Sequence, residues 1–137
     1  MKNGVAYFVD FSPTLYAIDI RTGKPTWTFE ADGKISRSPA IDNDTAFFTT
    51  LDSHLYAVNT RTGQQVWDFR RTGSVYSHPA IAGGIVYFGS GDHYLYALDI
   101  KTGKEIWKSE AEAAVQTPLV HDGSVYFCSG ENLYALE

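Results

Sequence analysis

Cysteine is nearly absent: Cys128 is the only one in 137 residues, beside one methionine and five prolines. One thiol excludes an internal disulfide and the multi-cysteine sets of structural zinc sites. No apolar run approaches the roughly 20 residues that a membrane-spanning helix requires. The N-terminal stretch "MKNGVAYFVD" lacks the apolar core of a signal peptide. As written, the chain is therefore expected to be cytosolic or a piece cut from something larger. Lysine and arginine form no block, and 11 basic residues stand against 16 acidic ones, giving a net charge of −5. That balance argues against a nucleic-acid footprint and against an anionic membrane surface. No helical period of useful length occurs either.

What the sequence does contain is a repeat. Trp27, Trp67 and Trp107 are spaced by 40 residues, as are Gly23, Gly63 and Gly103, and Thr22, Thr62 and Thr102. Upstream of each glycine stands a second signature, "LYAID", "LYAVN" and "LYALD", and a fourth copy, "LYALE", ends the chain. Pro39 and Pro79 keep the step of 40, and Pro118 follows at 39. A period of this length that recurs four times is the mark of a repeat architecture.

Each unit reads as strands. "VAYFVD", "TAFFTT", "IVYFGS" and "SVYFCS" are short β-branched and aromatic runs, the composition that suits a pleated surface. "LYAxD" alternates and then meets a Thr-Gly turn, where glycine supplies a positive φ and the chain returns as "KPTWTF", "QQVWDF" or "KEIWKS". "RSPAID", "SHPAIA" and "QTPLVHD" begin with a proline, which is tolerated at a strand start because no ladder donor is lost. Labelling the proline strand A and the next three B, C and D, the chain runs BCD, ABCD, ABCD, ABC. The expectation is an all-β partial propeller of about four blades and 14 strands, one unit per blade. Blade boundaries fall at 1–32, 33–72, 73–112 and 113–137, within a single propeller domain. In such blades the tryptophan is a flat apolar plate able to pack between neighbours, and Ala17, Ala57, Ala97 and Ala135 leave room for a ring.

The ordered combination "LYALD…TGK…W…SP…VYFGS" resembles the pyrroloquinoline quinone (PQQ)-like repeat, also called the tryptophan-docking propeller. The resemblance covers nearly the whole chain. It makes Trp27, Trp67, Trp107, Gly23, Gly63, Gly103, Ala17, Ala57 and Ala97 the structural docking residues. It also implies two functional branches. Quinoprotein dehydrogenases hold the quinone and a calcium ion over an eight-bladed channel; scaffold and sensor proteins use the same repeats without catalysis. The dehydrogenases carry adjacent cysteines beside the quinone, and this chain has Cys128 alone. The reading drawn here is a non-catalytic module for protein–protein interaction or assembly, with a protein partner and no cofactor, metal or catalytic residue. The alternative is a fragment of a quinoprotein dehydrogenase whose catalytic residues lie outside this chain. Relatives of this type are commonly exported.

Individual residues refine the reading. Cys128, within "VYFCSG", fits a small buried core position. "DND" at 42–44 reads as a hairpin turn without the ligand spacing of a calcium loop. His54, His93 and His121 read as solvated loop residues, with His54 and His93 in equivalent connections. Blades should differ in function at the channel mouth, since rims and loops carry binding while sheets carry fold. That makes Arg37, Tyr76, His78 and Gln116 the candidate binding residues. Four blades cover about half of an eight-bladed ring and leave an apolar face at each end. A second copy related by a two-fold axis would bury both faces and complete the ring as a homodimer; the alternatives are a closed ring of four blades and a fragment excised from a longer gene.

Overall fold

The structure is a computed structural model that describes residues 4–35, 37–52, 54–71, 73–75 and 77–137. Its described residues form fourteen antiparallel strands in four sheets. The first sheet holds β1 (Val5–Val9), β2 (Thr14–Asp19) and β3 (Pro25–Glu30). The second holds β4 (Ala40–Asp42), β5 (Thr45–Thr49), β6 (His54–Asn59) and β7 (Gln65–Arg70). The third holds β8 (Ala80–Ala82), β9 (Ile85–Gly89), β10 (Tyr94–Asp99) and β11 (Glu105–Glu110). The fourth holds β12 (Leu119–His121), β13 (Ser124–Ser129) and β14 (Asn132–Leu136). Each sheet is a meander in chain order, so the strand pattern is BCD, ABCD, ABCD, ABC. The short A strands approach one another, β4 against β8 and β8 against β12, and so mark the inner side of the arc.

The hairpin between strands C and D shows why the motif repeats. Gly23, Gly63 and Gly103 sit at φ of 70°, 74° and 72°, the left-handed region that costs glycine least. The acid or amide closing "LYAxD" braces the same turn. Asp99 Oδ1 accepts from the Lys101 and Thr102 amides at 2.8 and 3.0 Å, and Asn59 Oδ1 accepts from Arg61 and Thr62 at 2.8 and 3.1 Å. These amides stabilise the carboxylate and hold Asp99 below the ordinary aspartate value of 3.8; the Arg21 amide does the same for Asp19. A depressed folded value means the contribution is complete above pH 3.8 and is lost as pH falls below it. Asp99→Asn should keep the turn, because Asn59 makes the same bonds natively, and should reduce the loss of stability on acidification. Denaturant titrations at pH 7 and pH 3 check this.

The apolar core is divided into three slabs, each shared by two neighbouring sheets. Every sheet therefore has a trailing face, packed on the sheet that follows, and a leading face, packed on the one before. Across the trailing face runs a row of three: Tyr7–Ala17–Trp27, Phe47–Ala57–Trp67 and Tyr87–Ala97–Trp107, in direct register. The outer rings of each row stand 5.8–5.9 Å apart, and the alanine between them is fully buried. Leading faces carry a stacked pair instead: Phe48–Tyr56 at 5.4 Å and Phe88–Tyr96 at 5.1 Å. Phe29 and Phe69 of the preceding sheets meet those pairs edge-on, at 5.4–5.9 Å, the geometry that aromatic quadrupoles favour.

Two expectations need correction. Cys128 is exposed. Its counterpart Gly89 lies so close under the Val115 and Gln116 carbonyls of the following sheet that a Cβ there would collide with them. Nothing follows the fourth sheet within the described chain, so the same position opens to solvent. His54 is buried within β6, with Nδ1 at 3.2 Å from the Tyr56 hydroxyl. It corresponds to Tyr94, one place beyond His93, because both immediately precede the leucine of "LYA". His93 and His121 are exposed.

Candidate functional site

The segments that lead into the A strands, together with Gly91 and Cys128, line a cavity of about 520 Å³ on the inner side of the arc. It is lined by Arg37, Ser74, Gly91, Ala114, Val115, Gln116, Thr117 and Cys128. Of the four residues expected at the channel mouth, Arg37 and Gln116 share this cavity. His78 is exposed outside it, its backbone N–H donating to Thr117 Oγ1 at 3.0 Å. Tyr76 lies outside the described residues. Reasoning from the sequence missed Cys128, Ser74 and Thr117 at this site. The signal for Cys128 was available: it aligns with Gly89 and Thr49, the positions over which the next sheet's inner segment passes.

A scaffold of buried side-chain bonds fixes these inner segments. Ser77, buried, donates to the Gly89 carbonyl at 3.0 Å and accepts from the Gly89 amide at 2.9 Å. Thr49 Oγ1 reaches across to the Ser77 carbonyl at 2.8 Å and ties the second sheet to the third. In the fourth sheet Ser129 Oγ donates to the Ala113 carbonyl at 2.8 Å and accepts the Ala113 amide at 3.0 Å. The cavity walls are thus held by paired polar groups, and the guanidinium, amide and hydroxyl of Arg37, Gln116 and Thr117 supply its variable chemistry. That set suits hydrogen-bonded recognition. Among the described residues no three histidine, cysteine or acidic side chains gather as a metal site.

The three tryptophans of the D strands form a second constellation on the outer side. Trp27 lies over Gly63 and its Nε1–H donates to the Thr60 carbonyl at 2.8 Å. Trp67 lies over Gly103 and donates to the Ile100 carbonyl at 3.0 Å. A Cβ on Gly63 would stand 2.8 Å from the indole, and one on Gly103 only 2.5 Å. Each seat therefore consists of a glycine without a side chain and a carbonyl one turn earlier. The first turn has the same backbone, with Ile20 in place of Thr60, but nothing lies within 4 Å of a Cβ built on Gly23. Among the described residues Trp107 finds no glycine seat of this kind.

The chain matches a known family along its full length. The family profile described as outer membrane protein assembly factor BamB, a PQQ-like repeat family, matches residues 1–137. The chain belongs to that family. Among solved structures it is similar to BamB from Moraxella catarrhalis, with 25% identity and a TM-score of 0.85 over 97% of this chain and 42% of that one. The computationally designed Ika4 protein superposes with a TM-score of 0.89 at 15% identity, over 99% of this chain and 86% of that one. A europium-containing methanol dehydrogenase aligns over 81% of this chain and 24% of that one, at 20% identity and a TM-score of 0.72. The last two likenesses are of fold alone. No curated protein sequence matches significantly. The chain thus spans less than half the length of BamB. Among the described residues no helix is long and apolar enough to cross a membrane.

Proposed function

We propose that this chain is a non-catalytic propeller module that binds protein and serves assembly outside the cytoplasm. The observation that carries the reading is the match of all 137 residues to a family described as an outer membrane assembly factor. It is supported by the cavity, where Arg37, Gln116 and Thr117 place blade-specific polar groups on an otherwise repeated frame. Such a rim recognises a polar protein surface by hydrogen bonding and charge, while the sheets supply stiffness.

The test is affinity for candidate outer-membrane assembly components, measured with the native chain and with Arg37→Glu and Gln116→Lys. Binding that weakens at least tenfold in these variants, with folding unchanged, is the expected result. Reduction of a dye that depends on added PQQ and calcium would overturn it and favour a piece of a quinoprotein dehydrogenase.

A second copy of the chain extends this proposal. The trailing face of the fourth sheet repeats the surface that each earlier sheet turns to its successor, and it is open, with Leu119 65% and Leu133 72% exposed. The leading face of the first sheet is the complementary surface, and its Phe8 is 46% exposed although Phe48, Phe88 and Phe127 are buried. Two copies placed head to tail about a two-fold axis bury both faces and complete a ring of eight blades. Light scattering across a dilution series should give twice the 15.2 kDa chain mass. A monomer at every concentration would overturn this arrangement.

A further inference from the structure

The cavity on the inner side collects hydrogen-bond donors from three separate segments of the chain. Arg37 and Gln116 hold the same place in their blades, two residues before Pro39 and Pro118. In the third sheet that place belongs to Ser77, which is spent on the Gly89 backbone. Ser74 and Thr117 complete the polar lining. Three of these side chains keep a donor that meets no acceptor among the described residues. Thr117 Oγ1 accepts the His78 amide at 3.0 Å, which occupies a lone pair and leaves its own O–H. Gln116 donates its backbone N–H to the Cys128 carbonyl at 3.0 Å and keeps its side-chain amide. Ser74 bonds through its backbone carbonyl, which accepts the Gly91 amide at 2.8 Å, and keeps its hydroxyl. The charge of the lining is one-sided. Arg37 supplies a guanidinium, and no aspartate or glutamate is among the described residues that line the cavity, although the chain holds 16 acids against 11 bases. Asp92, next to Gly91, is engaged by the Tyr96 hydroxyl and the Tyr94 amide.

We propose that this cavity binds a side-chain carboxylate from an acidic segment of a protein partner. The inference rests on the reading of this cavity as the protein-binding site and names the group recognised there. A carboxylate accepts only, with two oxygens and about four lone-pair sites, so it complements a lining of donors. The planar Arg37 fork matches its two oxygens, and the hydroxyl and amide donors of Ser74, Gln116 and Thr117 serve the remaining sites. One guanidinium balances one carboxylate, whereas a phosphate carries nearly two charges and is read by clusters of arginines. The volume of about 520 Å³ falls within the range of ligand pockets and exceeds one carboxylate, so residues flanking the acid enter with it. The net charge of −5 opposes an acidic segment over the rest of the surface, which makes docking at this cavity selective. All four residues lie well inside the chain, and neither terminus takes part.

The probe is the capped peptide acetyl-Gly-Glu-Gly-amide, titrated into the intact, isotope-labelled chain and followed through its amide resonances. Saturable shifts are expected at Gln116 and Thr117. The same peptide with glutamine in place of glutamate should bind roughly fivefold more weakly, the upper size for an ion pair open to water. Arg37→Gln in the protein should produce the same loss. Arg61→Gln, at an arginine paired with Asp44 away from the cavity, should produce none. Added salt should weaken the glutamate peptide and leave the glutamine peptide unchanged. Three outcomes overturn the proposal: no saturable shift, equal binding of the two peptides, or a loss with Arg37→Gln no larger than with Arg61→Gln. Free butyrate binding as tightly as the peptide also overturns it, because the site would then serve small acids. The two readings fail separately. Peptide binding without capture of assembly components ends the assembly reading and keeps the carboxylate site, and Arg37-dependent capture without peptide binding does the reverse.

Discussion

Trp67→Ala should cost about 3–5 kcal/mol of folding stability, the range for truncating a large buried aromatic. Trp67 is 8% exposed, belongs to the slab that joins the second and third sheets, and hydrogen-bonds to the Ile100 carbonyl of the following turn. Its removal leaves a cavity between the two sheets. Trp107→Ala should cost less, because Trp107 is only half-buried and meets no glycine seat among the described residues. Chemical denaturation of the two variants side by side checks the ranking, and equal losses would count against it.

Gly103→Ala is the second large effect. The turn holds Gly103 at a φ of 72°, where an alanine costs about 1–2 kcal/mol for any L-residue. Its Cβ would also stand 2.5 Å from the Trp67 ring, and forced overpacking adds about 1–3 kcal/mol. The chain contains its own control. Gly23 has the same turn with a φ of 70° and nothing within 4 Å of the added atom, so Gly23→Ala should cost only the backbone part. The difference between the two substitutions isolates the contact from the conformation.

The fold was legible because the information needed for it is local and repeated. Thr-Gly at a fixed step specifies each hairpin, alternation specifies the faces, and the order of proline, "VYF", "LYA" and tryptophan strands gives the topology. The partners of a face were harder to read. Cys128 has the sequence surroundings of Gly89, and its exposure depends on whether another sheet follows. His54 was misplaced for a different reason: the step of 40 aligns it with Tyr94, the first residue of β10, whereas His93 is the last residue of the equally long preceding connection. At the rim, the repeat showed where blades differ and pointed to Arg37, Tyr76, His78 and Gln116, of which Arg37 and Gln116 line one cavity. It could not show that the backbone of His78 is tied to Thr117 and stands apart from that cavity.

The turns at Gly63 and Gly103 are expected to keep their glycine in order to seat a tryptophan from the preceding sheet, whereas nothing among the described residues lies over the Gly23 turn. A double-mutant cycle between Trp67 and Gly103 tests it most directly, using Trp67→Ala, Gly103→Ala and the pair. If the claim holds, Gly103→Ala in the Trp67→Ala background costs no more than Gly23→Ala does in the native chain, and the cycle shows a coupling of about 1–3 kcal/mol. If the two losses add within about 0.5 kcal/mol, the glycine serves its own hairpin alone and the claim fails.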